Sequence, residues 1–326
     1  MSNRVTIKSI AKDLGISHMT VSRALSDHPN VNKATRDMIL NRARELGYVK
    51  NAAAKAMRGD GTKIVGLLLP NIINEFYARF ANALALACEK NSLHLIIHLT
   101  NDDIDQEYAA LERLREVQAM AVLMVPAPRH ATNDVTQTFG HNIIQLVRER
   151  PIDGTSATVL VDDHSAIQEA VAYLAKQGHT EIGYIGANNK LSSGQQRLAA
   201  FRAGLATAGL SENHELVHTA TPSFEMGHAC TGMLLDGKTA TALICGGVEI
   251  SNGALAALMD REKDPHKDIA FIGYGDPSFY AWIAGGISTI KLPIDQLAQQ
   301  AMHLLQNTED TPLNSDALKA TLTLRP

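Results

Sequence analysis

The chain has 326 residues, 45% of them apolar and 20% charged, with 23 Gly and 11 Pro; this suits two or three globular domains and excludes collagen-like, low-complexity and wholly disordered classes. No stretch approaches the ~18 consecutive apolar residues of a membrane span. The opening Met1-Ser2-Asn3-Arg4-Val5-Thr6-Ile7-Lys8 has no apolar signal core, so a cytoplasmic location without a membrane partner is expected.

The net charge of −4 conceals a division: residues 1–63 hold 12 basic against 5 acidic side chains, a net of +7, and the remainder carries −11. Within the basic segment, Thr6 is placed to cap a helix whose apolar positions are Ile7, Ile10, Ala11 and Leu14, with Gly15 ending it. Ser17 caps a second helix, with Val21, Ala24 and Leu25 facing inward and His18, Met19, Ser22 and Arg23 outward. A third runs from an Asn32 cap through Met38, Ile39, Ala43 and Leu46 to Gly47. Two short helices sharing a glycine turn predict a helix-turn-helix over 1–50, whose second helix enters the major groove. Phosphate neutralisation gives the basic charge a purpose, so double-stranded DNA is the expected partner. A solvated charged face on an ordinary three-helix bundle is the alternative.

Residues 51–60 predict a short alanine-rich hinge helix too short to be stable alone. Lys55, Arg58 and Met57 suit it to folding on DNA, with Met57 as a minor-groove wedge; a plain linker has the same composition.

From 61 to 326 the pattern changes. Apolar runs at 64–69, 93–99, 121–125 and 143–147 alternate with helical stretches at 76–90 and 106–115. A second series has strands at 158–161, 182–185, 242–245, 270–272 and 288–290, with helices near 164–177, 195–208, 226–235, 250–262 and 294–306. Such alternation predicts an α/β body of doubly wound parallel sheets with ligand sites at the carboxyl ends of the strands. GxGxxG and GxSxG are missing from the sequence, so binding rather than catalysis is expected, without a cofactor. Cys88, Cys230 and Cys245 lie far apart with no CxxC, and His94 and His98 sit in an alternating apolar run; reduced thiols and no metal are expected. The acid pairs Asp102-Asp103 and Asp162-Asp163 follow strands, where helix capping is the common role.

Val5-Thr6-Ile7-Lys8-Ser9-Ile10-Ala11, Gly15-Ile16-Ser17, Thr20-Val21-Ser22-Arg23-Ala24-Leu25, Leu46-Gly47-Tyr48, Asn51 and Ala54 together resemble the lactose/galactose repressor (LacI/GalR) family of bacterial transcription regulators. Gly178-His179, Arg197-Leu198-Ala199, Phe271-Ile272-Gly273-Tyr274 and Ser288-Thr289-Ile290 extend the resemblance through the body. It implies a two-lobed periplasmic-binding-protein-like body, one lobe about 61–161 with 292–318 and the other 162–291 with the C-terminal strand. It also implies a homodimeric, ligand-responsive regulator, most simply a repressor, on a pseudo-palindromic operator. His18, Met19 and Arg23 become base readers and Ser17, Thr20 and Ser22 phosphate contacts, with Thr6 and Asn32 beside them. Arg23 best suits guanine O6 and N7. Asn51, Ala54, Lys55 and Met57 belong to the hinge, where Met57 stands at the family's leucine wedge and Lys50 replaces its usual proline.

For the effector, the resemblance points to Arg197, with Asn74 and Phe76 after the first strand of the body. The familiar sugar-hydroxyl acceptors are altered: Gly247-Val248 replaces an Asn-Asp pair, and Gly275 follows Gly273-Tyr274, leaving Asp276. Arg148 stands where an acid is usual, and two arginines on one cleft would favour an anion; a surface role beside Glu149 and Arg150 is the alternative. Gly273-Tyr274-Gly275-Asp276 and Pro222-Ser223-Phe224 are similar to the gluconate-repressor branch, and Phe224 is a candidate ring-stacking residue. A sugar, sugar acid or sugar phosphate is therefore the expected effector class. A plain small-molecule binding protein, or a sugar-processing enzyme with an appended DNA-binding domain, is the rival reading.

Overall fold

The computed structural model describes residues 5–48, 62–128, 143–150, 157–307 and 317–326. The hinge positions Lys50, Asn51, Ala54, Lys55, Met57 and Arg58 lie outside them. Two compact units result, Met1–Thr62 and Lys63–Pro326.

The first unit contains α1 (Ile7–Leu14), α2 (His18–Leu25) and α3 (Lys33–Glu45). Each begins at a side-chain oxygen that accepts an otherwise orphaned backbone N–H. Thr6 Oγ1 accepts from Ser9 at 3.1 Å, Ser17 Oγ from Thr20 at 3.0 Å and Asn32 Oδ1 from Thr35 at 2.8 Å. Such caps contribute about 1 kcal/mol each. Ser9 Oγ accepts in return from the Thr6 N–H at 2.8 Å, which completes a capping box. Gly15 ends α1 at φ 64°, a left-handed conformation that a Cβ would strain. Ile10, Val21, Ala24, Leu25, Ile39 and Ala43 form the small core. Met38, expected inside, is instead 44% exposed. Ile39 and Ala43 already occupy the i, i+4 stripe facing α1 and α2, and Met38 lies about 100° round the helix from Ile39.

The second unit has two sheets. In one lobe, β1 (Ile64–Leu69), β2 (His94–Leu99), β3 (Ala121–Met124), β4 (Ile143–Leu146) and β5 (Ala157–Val159) are all parallel in the order β2-β1-β3-β4-β5. The crossovers include α4 (Glu75–Lys90) and α5 (Ile104–Glu116). β1, β3 and β4 are almost wholly buried, as strands covered on both faces must be. The edge strand β2 leaves Ile97 and Leu99 exposed.

After β6 (Val161–Asp162) and α6 (His164–Lys176), the other lobe contains β7 (Ile182–Ala187), α7 (Ser192–Thr207), β8 (Val217–Ala220), α8 (Phe224–Gly237), β9 (Ala242–Gly246), α9 (Val248–Asp260), β10 (Ala270–Tyr274) and β11 (Ser288–Lys291). The chain then returns to the first lobe with α10 (Ile294–Gln306), which packs on α4. β12 (Leu318–Lys319) pairs with β6, and β13 (Thr321–Thr323) adds antiparallel to β11, giving β13-β11-β10-β9-β7-β8. β8 went unread in the sequence because Val217-His218-Thr219-Ala220 is short and only half-buried. Three connections thus cross between lobes, at β6, after β11 and after β12, and the strands' carboxyl ends face a shared cleft. Among the described residues, no helix is long and apolar enough to cross a membrane.

Candidate functional site

On the headpiece, Ser17, His18, Met19 and Arg23 are exposed and Thr20 and Ser22 half-buried. All six belong to the N-cap and the body of α2, so one short helix presents them. Ser17 Oγ lies 2.9 Å from Thr20 Oγ1, so one hydroxyl donates to the other and the pair keeps one O–H donor and unused acceptor sites toward solvent. Arg36 pairs with Asp27, and Arg42 with Asp13 and Glu45. Among the described residues no carboxylate pairs with Arg23, which leaves its guanidinium available to an outside acceptor. The Thr6 and Asn32 side chains are committed to their caps.

In the body, a cavity of about 90 Å³ lies between the lobes. Asn71, Asn74, Phe76 and Tyr77 line it from the loop after β1 and from α4; Asp102, Val147 and Arg148 come from the loops after β2 and β4. The facing lobe supplies Ser193, Arg197, Tyr274 and the start of α9 from Gly247 to Ile250. Asn74 and Phe76 are thus brought to one site with Arg148 and Arg197. Asn74 also caps α4, its Oδ1 accepting from the Phe76 N–H at 3.0 Å.

The two arginines are not free. Arg148 is 5% exposed, ion-paired with Asp102, and its Nε donates to the Pro126 carbonyl at 2.7 Å. The preceding Val147 sits at φ 66°, and the Arg148 N–H donates to Leu146 O at 2.7 Å, a tight turn costly for a β-branched residue. That turn aims Arg148 into the cavity and rules out the surface alternative. Arg197 donates from Nε to Asp163 Oδ2 at 2.6 Å and from Nη1 to Gly246 O at 3.1 Å, with its guanidinium 4.4 Å over the Tyr274 ring. Burial opposes the Arg197 charge, but Tyr274 and Asp163 offset it and hold the group firmly protonated. Two unpaired guanidiniums awaiting an anion are therefore not what the cleft contains.

Two further expectations change. Asp276 is absent from the cavity wall: its Oδ1 accepts from Arg325 at 2.7 Å, and its Oδ2 lies 3.8 Å from Lys291. Phe224 is 41% exposed at the start of α8, its ring 6.4 Å from that of His228, and it too is outside the lining. Of the acid pairs, Asp103 caps α5 through Asp105 and Gln106, both at 2.9 Å, whereas Asp163 gives α6 no side-chain cap.

Residues 6–51 match the model of the lacI family of bacterial regulatory proteins, and 171–325 match the periplasmic binding protein-like domain. The chain belongs to the lacI family. This lacI-family protein is a DNA-binding transcription regulator and not an enzyme. It is 28% identical to the transcriptional regulator GalR of Escherichia coli (strain K12) over 94% of this chain and 90% of that one. It is also 28% identical to the probable transcriptional repressor ExuR of Bacillus subtilis (strain 168), over 94% and 93%. Its fold is that of the lac repressor dimer bound to operator and the anti-inducer ONPF, with a TM-score of 0.84 at 17% identity over 99% and 98% of the chains.

Sequence reasoning did not place Tyr77, Ser193, Tyr274 or Glu249 in the regulator's cleft, nor name Asp102 and Asp163 as arginine partners. The adjacent aspartates at 102–103 and 162–163 were a readable signal. Their partners, 46 and 34 residues away, were not.

Proposed function

We propose that this regulator is a repressor that binds a pseudo-palindromic operator as a homodimer and changes its DNA affinity when a sugar-like molecule occupies the cleft. The observation that carries the reading is the cavity itself: aromatic faces from Phe76 and Tyr77, amides from Asn71 and Asn74, and two arginines fixed by their own partners. Apolar walls with a few placed polar groups suit a polyhydroxyl ligand. About 90 Å³ is below the ~300–1,000 Å³ of a filled ligand site, so the lobes must part for binding, and lobe movement is the signal to the DNA-binding unit.

On α2, the unpaired Arg23 with His18 and Met19 supports base reading, with Ser17, Thr20 and Ser22 on phosphates. The homodimer draws support from an exposed apolar face at Leu86 on α4 and Ile97 and Leu99 on β2, a sheet edge that an isolated chain would have to protect.

The test is operator binding by fluorescence anisotropy with and without a panel of hexoses, hexosamines, hexonates and hexose phosphates. A palindromic site should bind two chains, and one ligand class should shift the affinity about tenfold or more, the usual scale of allosteric coupling. Binding of single chains, or operator affinity indifferent to every class, defeats the reading.

A further inference from the structure

Four charged side chains line the cavity: Asp102, Arg148, Arg197 and Glu249. Arg148 is matched by Asp102, and Arg197 by Asp163 just behind the wall. Each guanidinium also donates to a backbone carbonyl, Pro126 O or Gly246 O. Glu249, in the first turn of α9, is different. Among the described residues, neither a cation nor a hydrogen-bond donor is paired with its carboxylate. Three carboxylates therefore stand against two guanidiniums, and the uncompensated charge facing the cavity is negative.

We infer that Glu249 sets the specificity of the cleft and selects a polyhydroxyl ligand carrying a protonated amine over the corresponding carboxylic acid. The inference rests on the reading of the cleft as an effector site and deepens it. An incoming carboxylate would meet Glu249 directly. To gain an arginine it would have to displace Asp102 or Asp163, each buried or half-buried and left without its counter-charge. An ammonium needs no displacement, because it supplies the donors that Glu249 lacks. Burial, and then the neighbouring charge of Glu225, push the Glu249 carboxyl above its ordinary range, the direction expected of an acid without a counter-ion. Asn71, Asn74 and Ser193 remain to bond hydroxyls around the amine.

The experiment uses the full chain and three matched arms: glucose, galactose and mannose; their 2-amino-2-deoxy derivatives; and the corresponding hexonates. Thermal shift identifies binders and calorimetric titration ranks them. An amino sugar should bind about tenfold or more tightly than its parent hexose, with the hexonates weakest. Glu249→Gln should remove the amine's advantage, and its ligand-free melting temperature serves as the folding control. Stabilisation by the neutral or acidic arm alone, or an amine preference that survives Glu249→Gln, overturns this inference while leaving the cleft an effector site. No response in any of these arms overturns this inference, and no response to hexose phosphates as well overturns the reading of the cleft as an effector site.

Discussion

Asp163 Oδ2 accepts from Arg197 Nε at 2.6 Å and from the Tyr274 hydroxyl at 2.5 Å. The carboxylate at the start of α6, beside the β6 crossover between lobes, is thereby taken from helix capping and bound to the cleft wall. Arg197 and Tyr274 come from α7 and β10, so three elements of one lobe meet at one oxygen.

The first consequence concerns Arg197→Ala. Removing the guanidinium leaves Asp163 buried without its cation, and breaking a buried pair from one side costs about 3–5 kcal/mol. The urea midpoint of the full chain should fall accordingly. Arg197→Met combined with Asp163→Leu should recover part of the loss, because the stranded charge goes too while the buried Tyr274 hydroxyl loses its acceptor. A midpoint unchanged in Arg197→Ala would mean that the pair contributes nothing. Lost ligand response in that variant is informative only if the body is folded at the temperature used.

The α/β alternation and the helix starts were legible in the sequence because they depend on neighbours: Thr6, Ser17 and Asn32 each act within three residues. Arg197 was found by resemblance, and Arg148 by its departure from it. That both are already ion-paired was not legible, since their partners are aspartates brought from other strand ends. Asp276 misled for the same reason: adjacency to Tyr274 suggests the cleft, yet its carboxylate turns to Arg325, 49 residues away.

Arg23→Ala should weaken operator binding by about 1–3 kcal/mol and relax selectivity at one base position. Its lack of an internal carboxylate partner means that headpiece stability should change little. The check is anisotropy against operators varied one base pair at a time. A uniform loss across all of them, with a salt slope lowered by about one, would make Arg23 a phosphate contact instead.

Asn32 separates capping from DNA contact. Asn32→Ala removes the acceptor for Thr35 and should cost about 1 kcal/mol of headpiece stability. Asn32→Asp keeps a capping oxygen and should keep that stability. If Asn32 also lies against a phosphate, the aspartate variant should bind operator more weakly despite its intact fold. Equal operator affinity for Asn32→Asp and the unaltered chain would confine Asn32 to the cap.

Two hydrogen-bonded bridges span the cleft mouth. The Glu75 carboxylate at the start of α4 accepts from the Ser278 N–H at 3.0 Å and the Ser278 hydroxyl at 3.3 Å, and the Glu149 N–H donates to Ser192 Oγ at 3.0 Å. Both are near solvent, so neither alone holds the lobes together, but each closes over a cavity too small for a sugar. Glu75→Ala should raise the opening frequency, read as faster hydrogen exchange at the Ser278 amide. A change on the order of tenfold corresponds to about 1.4 kcal/mol, within the range for a hydrogen bond to a charged group with exposure taken into account. Ser192→Ala should do the same for the Glu149 amide, and the pair of substitutions should speed ligand association without adding a contact to the bound state. Unchanged exchange at both amides, with an unchanged association rate, would show that the lobes part by a route these bridges do not limit.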